Sequence, residues 1–118
     1  MNRTTDILVI DDEQVIIDAV IKICSLDNYS VDTALDVKTA TEKIIKNYYP
    51  IIICDIMMPD GSGFQILEEI RRKNSKSSLI MTTGYSTVEN AVNSLYKGAI
   101  DFIPKPFTVD ELLSSVYR

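Results

Sequence analysis

The segment Ile51-Ile52-Ile53-Cys54-Asp55 is the strongest evidence for the fold class of this chain. Four consecutive apolar residues that end at a carboxylate are typical of a strand covered on both faces, as in a parallel sheet. Four further short runs have a strand-like composition. They lie at Ile7–Ile10, around Ser30–Thr33, at Leu79–Thr82 and at Asp101–Ile103. The sequence therefore predicts five strands.

Helical patterns fill the intervals between these strands, because apolar residues there recur at spacings of three and four. The predicted helix faces consist of Ile16, Val20, Ile23 and Cys24; of Val37, Ala40 and Ile44; of Ile66, Leu67 and Ile70; of Val88, Ala91, Val92 and Leu95; and of Val109, Leu112, Leu113 and Val116. Alternating strands and helices predict an α/β fold with a single doubly wound five-stranded parallel sheet and helices on both faces. We adopt the flavodoxin-like strand order 2-1-3-4-5, which is taken from that known architecture and not worked out from these residues.

Local signals mark some of the helix ends. Capping boxes at Ser86-x-x-Glu89 and Thr108-x-x-Glu111 predict where the fourth and fifth helices begin. Gly98 predicts the end of the fourth helix, because glycine readily adopts the left-handed conformation that stops a helix.

The length of 118 residues fits one domain, and 46% hydrophobic with 25% charged residues indicates a globular one. The fifth helical pattern continues to Arg118 without a Gly, Pro or polar stop. We therefore expect residues 1–118 to be one domain of a longer chain that continues into a C-terminal output domain. A natural end at Arg118 is the alternative.

Charge and cysteine content exclude several kinds of partner. With 17 acidic and 12 basic residues, the net charge of −5 argues against direct binding of nucleic acid. Two cysteines, Cys24 and Cys54, and no histidine make a zinc site improbable. Both cysteines lie in apolar runs and are expected to be buried, which favours a reducing, cytoplasmic setting. No signal peptide and no apolar run of membrane-spanning length is visible.

Chemically active residues follow the predicted strands where each strand ends. The first strand is followed by Asp11 and Asp12, the third by Asp55, the fourth by Thr83 and the fifth by Lys105. The carboxyl ends of parallel strands meet at one edge of the sheet, where such folds bind their ligands. We therefore expect three carboxylates, a hydroxyl and an ammonium around one crevice.

Each of these residues alone has an ordinary structural explanation. Asp11 and Gln14 could form a capping box at the first helix, and Asp55 could satisfy the turn after its strand. Thr83 suits a strand end, and a lone Lys105 is usually a solvated surface charge. Their joint arrival at one sheet edge favours a functional site instead.

Electrostatics indicates what this site would hold. Two carboxylates about 4 Å apart repel by roughly 4 kcal/mol at an effective dielectric constant near 20, so three need a proton or a cation. Mg2+ suits a site with few carboxylates and several waters. A metal-neutralised carboxylate beside a lysine and a hydroxyl is suited to phosphoryl transfer, which depends mainly on positioning and charge. Asp55 is ionised at neutral pH and needs no base to activate it.

Four motifs lie at these strand ends: LVIDDE (Leu8–Glu13), CDIMMPDG (Cys54–Gly61), MTTGY (Met81–Tyr85) and GAIDFIPKPF (Gly98–Phe107). In this order they resemble the receiver family of bacterial two-component systems over essentially the whole chain. Val88–Phe107 is most similar to receivers of transcriptional activators that act with the alternative sigma factor. The resemblance implies a phosphoacceptor domain that receives its phosphoryl group from a sensor histidine kinase and controls an output, here transcription.

The resemblance also implies roles for the acidic residues. Asp55 would be the phosphorylated nucleophile. The metal set would be Asp55, Asp12 as a direct ligand, Asp11 largely through water, and the backbone carbonyl of Met57. Mg2+ would be the cofactor.

The remaining roles concern the phosphoryl group and the switch. Thr83 would hydrogen-bond the phosphoryl group, Lys105 would pair with one of its oxygens, and Phe102 would be the aromatic switch residue. The Lys105–Pro106 bond would be cis. Phosphorylation would change the surface of the fourth helix, fifth strand and fifth helix, which would bind the output domain or a dimer partner. Such a domain catalyses only its own phosphorylation and slow dephosphorylation and is not counted as an enzyme.

Three rival interpretations of these residues can be compared with the receiver family. A flavin-binding module would need a phosphate cradle where Asp11 and Asp12 stand. A phosphatase of the haloacid dehalogenase type would resemble the site, but it places an aspartate where this chain has Met57. A pseudo-receiver, which would act as a phosphorylation-independent interaction domain, is the remaining alternative; the intact acid cluster and Lys105 argue against it.

Overall fold

The structure is a computed structural model that describes residues 5–73, 76–84, 93, 98–99, 101–105 and 107–116. Its elements are β1 (Ile7–Ile10), α1 (Gln14–Ser25), β2 (Val31–Ala34), α2 (Val37–Lys46), β3 (Ile51–Asp55), β4 (Met57–Met58), β5 (Gly61–Ser62), α3 (Gly63–Arg72), β6 (Ser78–Thr83), β7 (Asp101–Pro104) and the C-terminal helix α4 (Val109–Val116). The C-terminal helix α4 is the fifth predicted helix. Of the fourth predicted helix, only residue 93 is described, and it is helical; the capping box at Ser86-x-x-Glu89 lies outside the described residues.

Five strands form one parallel sheet in the order β2-β1-β3-β6-β7. Counted among the sheet strands alone, this is the predicted order 2-1-3-4-5, which is thereby confirmed. The strand bounds differ from the predicted ones by a single residue at several ends. The two-stranded antiparallel hairpin β4–β5 was not predicted, because two-residue strands leave no periodic pattern.

Both faces of the sheet are covered, as predicted. Ile7 and Val9 of β1 pack with α1 and the C-terminal helix α4, whereas Leu8 and Ile10 pack with α2 and α3. This alternation follows from the strand geometry, which directs successive side chains to opposite faces. Within the described helices, none has the length and apolarity needed to cross a membrane.

Helix α1 buries a face slightly rotated from the predicted one. Ile17, Val20 and Cys24 are buried, whereas Ile16 and Ile23 are only partly covered. Isoleucines surround much of this helix, so periodicity alone could not select the buried side. The predicted faces of α2 and α3 are confirmed.

The C-terminal helix α4 also departs from its predicted face. Val109 is exposed and Ser115 is buried, where its hydroxyl donates a hydrogen bond to Asp101. The capping box that begins this helix is confirmed, because the Thr108 amide donates to Glu111 and the Glu111 amide donates to the Thr108 hydroxyl.

Both cysteines are free and buried, as expected. Burial, with a smaller contribution from the charge of Asp27, raises the pKa of the Cys24 thiol to about 11. Burial also raises the pKa of Cys54 well above its ordinary value. Thiols with such pKa values are poor nucleophiles at neutral pH.

A polar cluster ties β2 to α2 and to the segment before β3. Burial alone would raise the pKa of Asp32, but hydrogen bonds from Lys43 (2.8 Å) and from the Tyr49 hydroxyl (2.7 Å) outweigh it and hold the pKa below its usual value. The Lys43 ammonium also donates to the carbonyl of Thr33. Asp32 therefore stabilises the fold in its ionised form.

We expect Tyr49→Phe to lower the free energy of unfolding by about 1 kcal/mol at neutral pH, because Asp32 loses one hydrogen bond. A carboxyl with a depressed pKa in the folded state stabilises fully above its unfolded pKa near 4 and ceases to do so as the pH falls through the folded value. The loss should therefore shrink in acid. Urea unfolding at neutral and acid pH measures it, with the exposed Tyr48→Phe as control. An equal loss at both pH values would contradict the assignment.

Candidate functional site

The sheet brings the predicted site residues to one edge. Asp11 follows β1, Asp55 ends β3, Thr83 ends β6 and Lys105 follows β7. The strand pairing extends to these positions, because the Asp11 amide donates to the carbonyl of Ala34 (3.1 Å) and the Lys105 amide donates to that of Thr83 (2.9 Å). The register of the parallel strands thus sets which side chains meet.

The Lys105 ammonium lies among three carboxylates. Its Nζ is 2.6 Å from Oδ2 of Asp11, 3.1 Å from Oδ2 of Asp55 and 3.7 Å from Oε1 of Glu13. Asp11 and Asp55 are buried, with 1% and 6% of their surface exposed. One cation is therefore shared between two buried anions.

Burial and these ion pairs shift the pKa values of Asp55 and Lys105. Burial raises the pKa of the Asp55 carboxyl above its ordinary value, and the nearby Lys105 charge opposes this rise without cancelling it. Burial also disfavours the charged form of Lys105, but the hydrogen bond and charge of Asp11, together with Asp55, outweigh it and raise the pKa of the ammonium. Burial thus disfavours the charged form of Asp55 more than Lys105 stabilises it.

The acidic side chains around Lys105 have the composition of a cation site. Asp11, Asp12, Glu13 and Asp55 each offer one carboxylate oxygen, and these four oxygens lie within 4.8 Å of one another. One ammonium cannot neutralise four carboxylates, and hard oxygen donors are what Mg2+ prefers. The residues present therefore fit a divalent metal ion. Glu13 was not predicted as part of the cluster, although it directly follows Asp12 in the sequence.

The cluster opens into a crevice of about 260 Å3. Its walls are Asp12, Glu13, Asp55, Met57, Thr83, Gly84 and Lys105. The backbone amide of Met57 donates to Oδ1 of Asp55 (3.3 Å), while the Met57 side chain is exposed at the rim. Six residues were predicted to bind the metal, bind the phosphoryl group or act as the nucleophile. All six line the crevice or belong to the ion pair beneath it: Asp11, Asp12, Asp55, Met57, Thr83 and Lys105.

The local explanation for Asp11 does not hold. Helix α1 begins at Gln14 after Glu13 and lacks the capping box that Asp11 and Gln14 could have formed. Oδ1 of Asp11 instead accepts from the Glu13 amide (2.9 Å), and the Gln14 amide group donates to Asp18. Asp11 is oriented toward Lys105.

Comparison with known proteins agrees with this geometry. Residues 7–117 match the model of the response regulator receiver domain family. The chain is 36% identical over 110 residues to the transcriptional regulatory protein DltR of Streptococcus agalactiae, covering 93% of this chain and 49% of that protein. A solution structure of the beryllofluoride-activated NtrC4 receiver domain dimer aligns with a TM-score of 0.90 at 34% identity, covering 97% of this chain and 94% of that one. A CheY-like receiver domain protein of Methanospirillum hungatei aligns with a TM-score of 0.88 at 31% identity, covering 98% and 92%.

The chain belongs to the response regulator receiver domain family. It is a signalling domain of the two-component kind and not a catalytic enzyme, and its relatives include transcriptional regulators. The chain spans about half the length of the curated relatives it matches.

Two residues predicted to act in the switch of this receiver domain differ in burial. Thr83 is buried, with 1% of its surface exposed. Phe102 is half-buried and packs against the hydrophobic cluster on the α2 and α3 face of the sheet. The Lys105–Pro106 bond, predicted to be cis, lies outside the described residues because Pro106 does.

We expect Asp12→Ala to raise the melting temperature of the metal-free receiver domain by a few degrees. Asp12 is exposed, makes no contact with Lys105 within ion-pair distance and adds a like charge to the cluster. Its removal should relieve repulsion, less so at high salt where exposed charges are screened.

The matched variant Asp11→Ala should do the opposite. It removes a buried partner of Lys105 and should cost about 3 kcal/mol, the lower end for a broken buried ion pair, since Asp55 remains. Thermal melts in chelator at low and high salt, with calorimetric titration of Mg2+, measure both. A lower melting temperature in Asp12→Ala, or unchanged Mg2+ affinity, would remove Asp12 from the proposed role.

Proposed function

We propose that this receiver domain accepts a phosphoryl group on Asp55, with Mg2+ as cofactor, from a sensor histidine kinase. The observation that supports this most is the contact of one part-buried ammonium, Lys105, with both Asp11 and Asp55 beside a surplus of carboxylates. A donor phosphohistidine would reach Asp55 through the crevice. The O–P bond to the Asp55 carboxylate would form as the N–P bond breaks, with the electron pair leaving on the imidazole.

The chain's own residues have separate parts in this transfer. Oδ2 of Asp55 is bound by Lys105 and Oδ1 by the Met57 amide, which fixes the plane of the carboxylate. Lys105 would move from Asp55 onto a phosphoryl oxygen and so neutralise the incoming charge. Asp11, Asp12, Asp55 and the Met57 carbonyl would hold Mg2+, which supplies the positive charge that offsets carboxylate–phosphoryl repulsion.

The switch is proposed at the end of β6. A phosphoryl group brings about −1.5 to −2 charges and new acceptor oxygens, and Thr83 lines the same crevice. A movement of Thr83 toward the phosphoryl group would leave space beside β7, which the half-buried Phe102 would fill by turning inward. The surface formed by the fourth predicted helix, by β7 and by the C-terminal helix α4 (the fifth predicted helix) would then bind an output domain or a dimer partner.

Several finer expectations remain proposals. The resemblance to receivers of alternative-sigma-factor activators is one, because the similarity is divided between the NtrC4 receiver and regulators such as DltR and ArlR. A longer parent chain with a C-terminal output domain that controls transcription is another, as is the cytoplasmic setting. The alternative function, a pseudo-receiver, would keep the interaction surface and lack phosphorylation.

We expect incubation with acetyl phosphate and Mg2+ to add one phosphoryl group to the domain, detected by intact mass. The adduct should be labile to hydroxylamine, because an acyl phosphate on a carboxylate reacts with this nucleophile. It should be absent in Asp55→Asn and in the presence of chelator. Asp18→Asn, on the exposed side of α1, is the matched control and should be modified normally. An adduct that survives Asp55→Asn would contradict the site, and no adduct at all would favour the pseudo-receiver.

We expect beryllofluoride, a stable phosphoryl mimic, to strengthen self-association of the domain by roughly 5- to 150-fold, the usual range of coupling between two sites. Thr83→Ala should bind the mimic and lose most of this response, because it lacks the hydroxyl that would move toward the mimic and hydrogen-bond it. Analytical ultracentrifugation measures both proteins. Equal responses in the two would exclude Thr83 as the transmitting residue.

A further inference from the structure

The hairpin β4–β5 connects the phosphoacceptor residue to α3. Met57 pairs with Ser62 and Met58 pairs with Gly61, so Pro59 and Asp60 form the two-residue turn at its tip. Met57 lies at the base of the hairpin, two positions after Asp55, and supplies the backbone carbonyl proposed for the metal. Whatever fixes the orientation of this hairpin therefore also fixes that carbonyl.

The tip of the hairpin is bound to another element through Asp60. Oδ1 of Asp60 accepts from the amide of Val37 (2.9 Å) and Oδ2 accepts from the amide of Lys38 (3.1 Å). These are the first two amides of α2, which have no partner within their own helix. The positive end of the helix dipole adds to the attraction for a carboxylate. A side chain more than 20 positions away in sequence thus completes the start of α2.

A second carboxylate caps the same helix without contacting the hairpin. Oδ1 of Asp36 accepts from the amide of Thr39 (2.7 Å), the third amide of α2. Asp36 and Asp60 therefore divide the first-turn amides of α2 between them. Both are carboxylates that cap the same helix. They differ because Asp60 belongs to the hairpin and Asp36 does not.

The base of the hairpin is held separately. The Ser62 amide donates to the side chain of Gln65 in α3 (2.8 Å), and the Gly63 amide donates to the carbonyl of Ile56 (2.8 Å). Met58 is buried in the core beside them. These contacts fix where the hairpin begins, and the Asp60 contacts fix the direction in which it extends.

We infer that Asp60 is a positioning residue of the phosphoacceptor site, which holds hairpin β4–β5 against the start of α2 and thereby orients the Met57 carbonyl toward the acidic cluster. This inference rests on the proposed function, because it assigns Asp60 a part in the same metal site. Asp60 touches neither the cluster nor Lys105. Its effect passes through the backbone of the hairpin.

The test compares Asp60→Ala, Asp60→Asn and Asp36→Ala with the wild-type domain. Asp36→Ala removes a capping carboxylate from the same helix and therefore reproduces the loss of helix stability and of charge, but leaves the hairpin attached. Asp60→Asn removes the charge and keeps one acceptor oxygen. It also provides a folded variant in case Asp60→Ala fails to fold.

Two measurements on the protein without any phosphodonor give the result. Calorimetric titration of Mg2+ should show roughly tenfold weaker binding in Asp60→Ala, at the low end of what residues that orient metal ligands contribute. Affinity should be intermediate in Asp60→Asn and unchanged in Asp36→Ala. Amide hydrogen exchange of the metal-free domain should be faster across Met57–Gly61 in Asp60→Ala and unchanged there in Asp36→Ala.

The outcomes separate this inference from the proposed function. Equal loss of Mg2+ affinity in Asp60→Ala and Asp36→Ala would overturn it, because Asp60 would then only stabilise a helix. Asp60→Asn as weak as Asp60→Ala would overturn it too, because charge and not attachment would be responsible. Selective loss of Mg2+ binding in Asp60→Ala supports the positioning role even if wild-type Asp55 forms no acyl phosphate, a result that would contradict only the proposed function.

Discussion

The Lys105 ammonium, part-buried between the buried Asp11 and Asp55, makes the contact on which the rest of the site depends. A buried charge without a partner costs several kcal/mol, so the three side chains must arrive together. Asp11 directly follows β1, Asp55 ends β3 and Lys105 directly follows β7, which are separate strands of one sheet. A slip of one residue in any strand would turn its side chains to the opposite face. The register of the sheet therefore determines the geometry of the site.

The acidic cluster is divided between a buried and an exposed half. Asp11 and Asp55 are buried and share Lys105, whereas Asp12 and Glu13 are exposed, with Glu13 3.7 Å from the Lys105 ammonium. Lys105 offsets one of the two buried negative charges, and the exposed carboxylates add a surplus of negative charge on the solvent side. A cation that approaches from solvent meets this surplus first. Asp11 is thus bound to Lys105 within the fold, whereas Asp12 faces the solvent from which a cation would approach.

Sequence patterns were sufficient for the strands, for the α/β class and for the residues at the strand ends, whereas the strand order came from a known architecture. Buried strands of a parallel sheet leave continuous apolar runs such as Ile51–Cys54, and each run is followed by the residue that reaches the sheet edge. The rest depends on contacts that no local pattern records. The buried face of α1 is ambiguous because isoleucines occupy several of its sides, and the partners of Asp60 lie more than 20 positions away in α2. Glu13 could have been included from its position beside Asp12, whereas Asp60 could not.

The proposed switch has a direction because the two sides of the crevice are fixed differently. On one side, hairpin β4–β5 is attached at its base to α3 and at its tip to α2. These attachments oppose any displacement of the hairpin when a charge is placed on Asp55. On the other side, Phe102 lies on the edge strand β7 and is only half-buried, so its side chain is not packed on all sides. A new charge displaces the element whose alternative positions differ least in free energy. Under the proposed function, the conformational change on phosphorylation should therefore involve Thr83 and β7 and not α2. Asp60 would contribute by holding hairpin β4–β5 in a fixed position against α2.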